Sequence, residues 1–233
     1  MRVATWNCQT GLSTNWDTIE RLDADLVAIQ ECRDGTLEEA EEHGWACEFQ
    51  AGGYGKGIAT LTRAPYVVED RERTETFLIS TIVSNGDDRI RFVNFWAMSP
   101  KLTGYSYTRQ ATLLIESLPD DGIPTIVAGD FNASKSRAHL HNVRRLNERG
   151  LVSAYHRRYE REHAEPEDDP TSYHLWREDR PFHMDFIFVP QDWPIEGVDV
   201  GSYEDYCLTK LSDHMPVVVT LEPQPSAAPM LTF

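Results

Sequence analysis

Ile126-Val127-Ala128-Gly129-Asp130-Phe131-Asn132 is a β-branched apolar run that stops abruptly on a glycine, a carboxylate, an aromatic ring and an amide. The run has the length of a buried strand. A strand ending on an acid and an amide delivers two polar groups to the rim of a sheet, where ligands usually sit. Four other strand ends deliver groups of the same kind: Asn7, Glu31, Asp185 and the pair Asp213-His214. One such end is weak evidence of a site; five that meet would be strong evidence.

Outward from this run, the chain alternates strand and helix patterns. Residues 3–8 and 25–31 read as strands, the second a continuous apolar run of the kind a sheet covered on both faces requires. Asn15 or Asp17 can cap a short helix through Leu22, and residues 36–43 read as an acidic helix that Gly44 ends. Short strand patterns follow at 45–50, 57–62, 66–68, 76–84 and 89–96, the last two joined by the hairpin turn Asn85-Gly86-Asp87. Ala111, Leu114, Ile115 and Leu118 give residues 106–118 helical spacing, and residues 134–149 read as a helix after the Gly-Asp-Phe-Asn strand. Residues 164–170 form a Pro/acid-rich loop, 182–189 a strand, and 215–221 the last strand. These are more strands than one open sheet comfortably holds, so two packed sheets with helices outside are expected. With no linker and no short repeat, residues 1–222 read as one domain, followed by a loose tail over 223–233.

The 233 residues can form one substantial core, and 40% of them are apolar. No apolar run approaches bilayer-spanning length, and a strand pattern already begins at residue 2, so a cytoplasmic location is expected. Cys8, Cys32, Cys47 and Cys207 are scattered without a Cys-x-x-Cys pair, which argues for reduced, partly buried thiols over structural zinc. The net charge of −16 works against binding polyanions, but it is uneven. Residues 135–163 carry +5, leaving −21 for the rest. This basic segment follows Asn132 directly and is either a solvated helix face or a phosphate-contacting surface.

The strand ends supply carboxylates, amides and a single histidine, a donor set that favours Mg²⁺ or Mn²⁺ over zinc. It suits metal-assisted hydrolysis of a phosphate ester. A carboxylate at Asp185, inside an apolar strand, would be costly to bury alone, and pairing with His214 accounts for it. The chain has no phosphate-binding Gly-rich Lys loop, no His-Glu-x-x-His helix and no Gly-x-Ser-x-Gly elbow.

Trp6-Asn7, Gln30-Glu31, Gly129-Asp130-Phe131-Asn132, Met184-Asp185-Phe186-Ile187-Phe188 and Ser212-Asp213-His214 resemble, in order and spacing, the motifs of the endonuclease/exonuclease/phosphatase superfamily, in a small, bacterial-type form. The resemblance implies the deoxyribonuclease-I-like fold: an α+β, four-layer α/β/β/α sandwich of two mostly antiparallel sheets flanked by helices. It also implies that Glu31 is the main metal ligand, with Asn7 beside it and Asp213 in the hydration shell or at a second metal. Asp130 would then position or deprotonate the attacking water. Asn132 would orient that water or a phosphate oxygen, and His214, held by Asp185, would stabilise the charge developing on phosphorus. The chain departs from the family pattern in two places. Trp96 stands where many members carry a second histidine, and Lys56 stands where they carry that histidine's carboxylate.

Lys56, Trp96, Tyr105, Arg109, Arg144 and Arg145 are candidate substrate contacts. The loop aromatics Trp16, Tyr54, Tyr105, Tyr107 and Trp176 can stack on bases or pack on sheet edges. His139, His141, His156, His163 and His174, in polar and Arg-rich surroundings, are expected at the surface. The expected activity is metal-dependent phosphodiester hydrolysis by direct water attack, by a nuclease acting on DNA or RNA. The alternative is a phosphatase or phosphodiesterase on a small-molecule or lipid-headgroup phosphate, and a binding module on the same scaffold is the third reading. The expected partner is a phosphate-ester substrate, nucleic acid first, with no membrane span and no obligate protein partner.

Overall fold

The structure, a computed structural model, describes residues 1–12, 15–75, 77–133 and 135–224. The first strands and helices are β1 (Arg2–Asn7), α1 (Trp16–Leu22), β2 (Leu26–Arg33), α2 (Thr36–Glu42), β3 (Ala46–Gly53) and β4 (Lys56–Thr62). Next come β5 (Val67–Glu75), β6 (Leu78–Asn85), β7 (Asp88–Trp96), the short α3 (Pro100–Thr103), α4 (Tyr107–Ser117) and β8 (Thr125–Asp130). The remainder is α5 (Arg137–Glu148), β9 (Leu151–Ser153), α6 (Ala154–Arg158), β10 (Ser172–Tyr173), β11 (Pro181–Phe182), β12 (Asp185–Pro190), β13 (Ile195–Val200) and β14 (Val217–Leu221).

Two six-stranded sheets form, in the orders β13-β14-β1-β2-β4-β3 and β5-β6-β7-β8-β12-β9, with β10-β11 a small separate pair. Alternation along the strands assigns their faces. Val3, Ala28, Ile126, Ala128, Ile187, Val189, Val217 and Val219 share the core between the sheets. Their neighbours Trp6, Ile29 and Val218 pack outward with Ile19 and Leu22 of α1. On the second sheet, Phe186 and Phe188 pack outward with Leu114 of α4 and Val143 and Leu146 of α5. The result is the four-layer sandwich expected from the sequence, and the need to cover both faces explains the near-continuous apolar runs.

Most pairings are antiparallel, but β1 with β2 and β7 with β8 are parallel. A parallel pair brings both carboxyl ends to the same rim, and β1 packs across from β8. Asn7 and Asp130 therefore emerge together. Gly129 makes the β7–β8 approach possible: a Cβ there would lie 1.8 Å from the Phe95 carbonyl oxygen.

Several boundaries differ from the sequence reading, and β2, expected to end on Glu31, runs on to Arg33. The expected strand at 182–189 is divided: Phe182 lies in β11 opposite Ser172, and the continuous strand starts at Asp185. β5 is longer than expected because the charged run Glu69-Asp70-Arg71-Glu72 continues it along a sheet edge, where charge discourages pairing with other chains. The helix expected from 134 begins at Arg137, where the Ser136 hydroxyl accepts the His139 N–H. Ser134, Thr76 (the expected start of β6) and residues 225–233 of the expected tail lie outside the described residues.

Candidate active site

Side chains from β1, β2, β8, β12 and the turn before β14 meet at one rim. Asn7, closing β1, donates from Nδ2 to Glu31 Oε1 at 3.1 Å and to Asp130 Oδ2 at 3.0 Å. Its Oδ1 accepts the Gln9 N–H at 3.1 Å. Glu31 sits where the β2–β4 register slips between Gln30 and Cys32, with φ 59°. A bulge with a left-handed non-glycine residue is strained, and it re-aims the side chain that carries it. The second Glu31 oxygen pairs with the Lys56 ammonium at the start of β4.

Asp130 is fully buried at the end of β8. Besides Asn7, its carboxylate accepts the Asn132 backbone N–H at 2.8 Å and Asn132 Nδ2 at 2.7 Å. Asn132 reaches back because its own φ is 47°, and its Nδ2 also donates to Ala97 O at 3.0 Å. Burial, with Asp185 nearby, pushes the Asp130 carboxyl above the usual carboxylate range, against His214 and the amide donors.

Asp185 begins β12 directly opposite Asp130. Its Oδ2 lies 2.9 Å from His214 Nδ1, and both residues are buried. Burial opposes a charged His214, but Asp185, Asp130 and Asp213 outweigh it and raise the imidazole above its ordinary range. The backbone of His214 is fixed in turn. Its N–H donates to Ser212 Oγ at 3.0 Å, Ser212 Oγ donates to Asn7 O at 2.7 Å, and Trp6 Nε1 donates to His214 O at 3.1 Å. Asp213, half-buried beside it, has its carboxyl raised by burial and by Glu31.

Ligand atoms of Asp130, Asp185 and His214 lie within 4.8 Å of one another. Asp185 Oδ1 is buried and, among the described residues, has no hydrogen-bond partner. A protonated imidazole donates and does not ligate, so the capacity to hold a cation rests with carboxylate oxygens, of which those of Glu31 and Asp213 are partly exposed. This donor set fits a hard divalent cation. As placed, Asn7 turns its NH₂ toward both carboxylates; to serve as a ligand it would present Oδ1 instead.

Three residues have roles here that the sequence did not reveal, although Ser212 falls in one of the motifs and Tyr107 among the loop aromatics. Thr171 Oγ1 accepts the N–H groups of both Met184 and Asp185, Ser212 links β1 to His214, and Tyr107 lies close enough to Asp130 and Glu31 for their charge to raise its hydroxyl, after burial. The first two are visible only in tertiary contacts, while Tyr107 was noted solely as a loop aromatic. Trp96, at 6% exposure, packs in the core near Gly52 and Met98. Trp16 is buried with Nε1 on Glu39, while Tyr54 and Tyr105 are exposed near the rim and Trp176 is half-buried under Lys210.

The basic segment is partly neutralised in place. Lys135 pairs with Glu167, Arg161 with Asp168, and Arg109 and Arg145 share Glu116 on α4. Arg144 is exposed, but Arg144 and Arg145 lie seven and eight residues along α5, roughly 10–12 Å from its site-proximal end at 1.5 Å per residue. The expectation of surface histidines is corrected: His141 and His174 are exposed, but His139 and His156 are buried with His183 around Phe186, and His163 is half-buried on them. Local polarity misled the reading because a sheet face covers this segment.

Carboxylates, amides and a carboxylate-bound imidazole at the mouth between two sheets define a class of protein, the hydrolases of phosphate ester bonds. The chain belongs to the Endonuclease/Exonuclease/phosphatase family, whose model matches residues 4–214. Members of the family typically depend on a divalent metal. No curated protein matches the chain. Among solved structures, D. rerio TDP2 complexed with single-strand DNA product is similar, with TM-score 0.74 and 16% identity over 96% of this chain and 99% of that one. An AP endonuclease from Archaeoglobus fulgidus gives TM-score 0.74 and 15% identity over 96% and 100%. The 3′ phosphatase NExo from Neisseria, bound to a product DNA hairpin, gives TM-score 0.71 and 17% identity over 96% and 100%. At these identities the likeness is one of fold. Among the described residues, no helix is long and apolar enough to cross a membrane.

Proposed function

We propose that this chain hydrolyses phosphodiester bonds of nucleic acid, DNA or RNA, by direct attack of water, with Mg²⁺ or Mn²⁺ as its cation. The observation that carries the reading is the position of Asp130. One amide joins it to Glu31, another orients its second oxygen, and the Asp185–His214 pair lies within 4.8 Å. Glu31, with Asn7 and Asp213, would hold the cation, whose charge would polarise a phosphoryl oxygen when bound.

Asp130, raised by burial yet surrounded by N–H donors, positions the water and takes its proton. Asn132, locked to Asp130 and Ala97, orients that water or a phosphate oxygen. His214, kept charged by Asp185, places positive charge where negative charge develops in the transition state. Phosphoryl transfer responds mainly to such placed charge. The exposed rings of Tyr54 and Tyr105 and the ammonium of Lys56 support a polymer substrate at the rim. A second reading, hydrolysis of a small phosphate ester, is supported by the net charge of −16 and by the internal pairing of Lys135, Arg145 and Arg161 in the basic segment.

The test is a panel of single-stranded DNA, duplex DNA, RNA and a generic phosphodiester with Mg²⁺ or Mn²⁺, run beside Asp130→Ala. The variant is expected to lose at least about 10²-fold in rate. Cleavage persisting in the variant would remove Asp130 from its role, and turnover of small esters alone would favour the second reading.

A further inference from the structure

Glu31 has both carboxylate oxygens engaged by nitrogen donors. Oε1 accepts Asn7 Nδ2 at 3.1 Å, and Oε2 is paired with Lys56 Nζ. The pairing is built into the β2–β4 strand pair. Lys56 opens β4 opposite Arg33, one residue past the bulge that turns Glu31 to the rim, so the two side chains converge from adjacent strands. Both are partly exposed, with side-chain accessibilities of 30% for Lys56 and 18% for Glu31, whereas Asp130 and Asp185 behind them are sealed. The ammonium thus lies on the solvent side of the carboxylate, the side from which an ion or a substrate arrives.

A divalent cation needs a Glu31 oxygen at about 2.1 Å for Mg²⁺, and it repels an ammonium held on the same carboxylate. Asn7 is buried and tied to Asp130, so it cannot withdraw without disturbing the rest of the site. Lys56 can: its flexible four-carbon stem starts at the strand end beside Tyr54 and Gly55, a turn with Tyr54 79% exposed. Once off Glu31, an ammonium at this rim is free to pair with the phosphate oxygens of the bound ester.

We propose that Lys56 is the resident counter-cation of Glu31 and that a divalent metal evicts it, freeing the ammonium for the substrate phosphate. One side chain then couples metal occupancy to substrate engagement. The proposal rests on the reading of Glu31 as the residue that holds the cation. Coupling of this kind is reciprocal, so a phosphate-ester anion that captures Lys56 must also tighten the metal.

The test titrates Mn²⁺ calorimetrically into the wild-type chain, Lys56→Met, Lys56→Arg and Glu31→Gln, each with and without dimethyl phosphate. Lys56→Met is expected to bind Mn²⁺ about tenfold more tightly, because a partly exposed ion pair no longer competes. Lys56→Arg is expected to stay near wild type. Dimethyl phosphate is expected to tighten Mn²⁺ in the wild type and not in Lys56→Met. In the wild-type protein itself, Mn²⁺ is expected to speed acetylation of Lys56 by an amine-reactive ester several-fold, read by mass spectrometry. Unchanged or weaker Mn²⁺ binding in Lys56→Met, or acetylation indifferent to Mn²⁺, overturns the eviction. Full-strength binding in Glu31→Gln instead overturns the underlying assignment of Glu31.

Discussion

Asp185 bonds the imidazole of His214 through one oxygen at 2.9 Å and keeps the other buried beside Asp130. Its charge decides the protonation of His214, because burial alone favours the neutral ring while Asp185 leads the carboxylates that reverse this. Asp185→Asn preserves shape and removes the charge. His214 then loses its proton at lower pH than in the wild type, and the activity that needs an imidazolium is lost with it. The expected outcome is a fall in kcat of about 10²-fold or more, together with an alkaline limb displaced to lower pH. A pH–rate profile at fixed metal reads both. An alkaline limb that does not move would mean that His214 acts without its proton.

At the scale of elements, the site depends on where β12 begins. Thr171 Oγ1 receives the N–H groups of Met184 and Asp185 at 2.9 and 3.0 Å, and Thr171 O receives Met215 N at 2.8 Å, so one residue fastens the start of β12 to the approach of β14. Thr171→Val keeps the volume and strands two N–H groups. The expected cost is about 2–3 kcal/mol of stability, with a reduced kcat as Asp185 loosens, measured by urea unfolding and by turnover. Stability equal to wild type would show that water replaces the hydroxyl.

Thr171 also shows where sequence reading stopped. Strand ends such as Asn7 and Asp130 were legible because apolar runs covered on both faces stop abruptly on polar groups, and the two-sheet sandwich followed from their number. The entry to β12 was not legible: Phe182 continues the apolar pattern of β12, yet it pairs with Ser172 in another sheet. The bulge at Glu31 left no local mark either, since its φ of 59° answers to the site it serves and not to a glycine or turn residue. His139 and His156 were misplaced for a related reason. Their neighbours in sequence are arginines, while their neighbours in space are Phe186 and one another.

Two histidines of this cluster, His139 and His163, contribute to how the whole molecule responds to acid. Burial, then the neighbouring histidines, lower His139 to about 4 and His163 to about 3, from an ordinary 6.5. Glu167 beside them is pushed up by burial, but His156 Nε2 at 3.5 Å and the Lys135 ammonium at 2.8 Å outweigh this and hold it at about 2. At these three groups the unfolded chain therefore binds more protons than the folded one wherever the pH lies between these values and the ordinary ones, and their contribution to stability falls as pH falls through that window. For His139 the loss runs from about 6.5 down to about 4, and for His163 down to about 3. Glu167 stabilises above its ordinary 4.5, and that contribution fades toward about 2. The net charge of −16 acts in the opposite sense, because protonating exposed carboxylates relieves self-repulsion, but only where carboxylates titrate. Asp130, raised to about 7 by burial, acts in the opposite sense over the same range, because the folded chain takes up its proton before the unfolded one, so only the difference between variants isolates His139. Replacing the buried His139 ring by an apolar side chain, His139→Leu, removes one of the protons the unfolded chain takes up. The expected outcome is a denaturation midpoint that drops more gently for His139→Leu than for the wild type between pH 7 and pH 5, with the two curves running parallel above pH 7, followed by urea titration at half-unit steps. Curves parallel across the entire range would mean that the folded protein accepts the proton on His139 at no cost, and that acid sensitivity must be sought elsewhere.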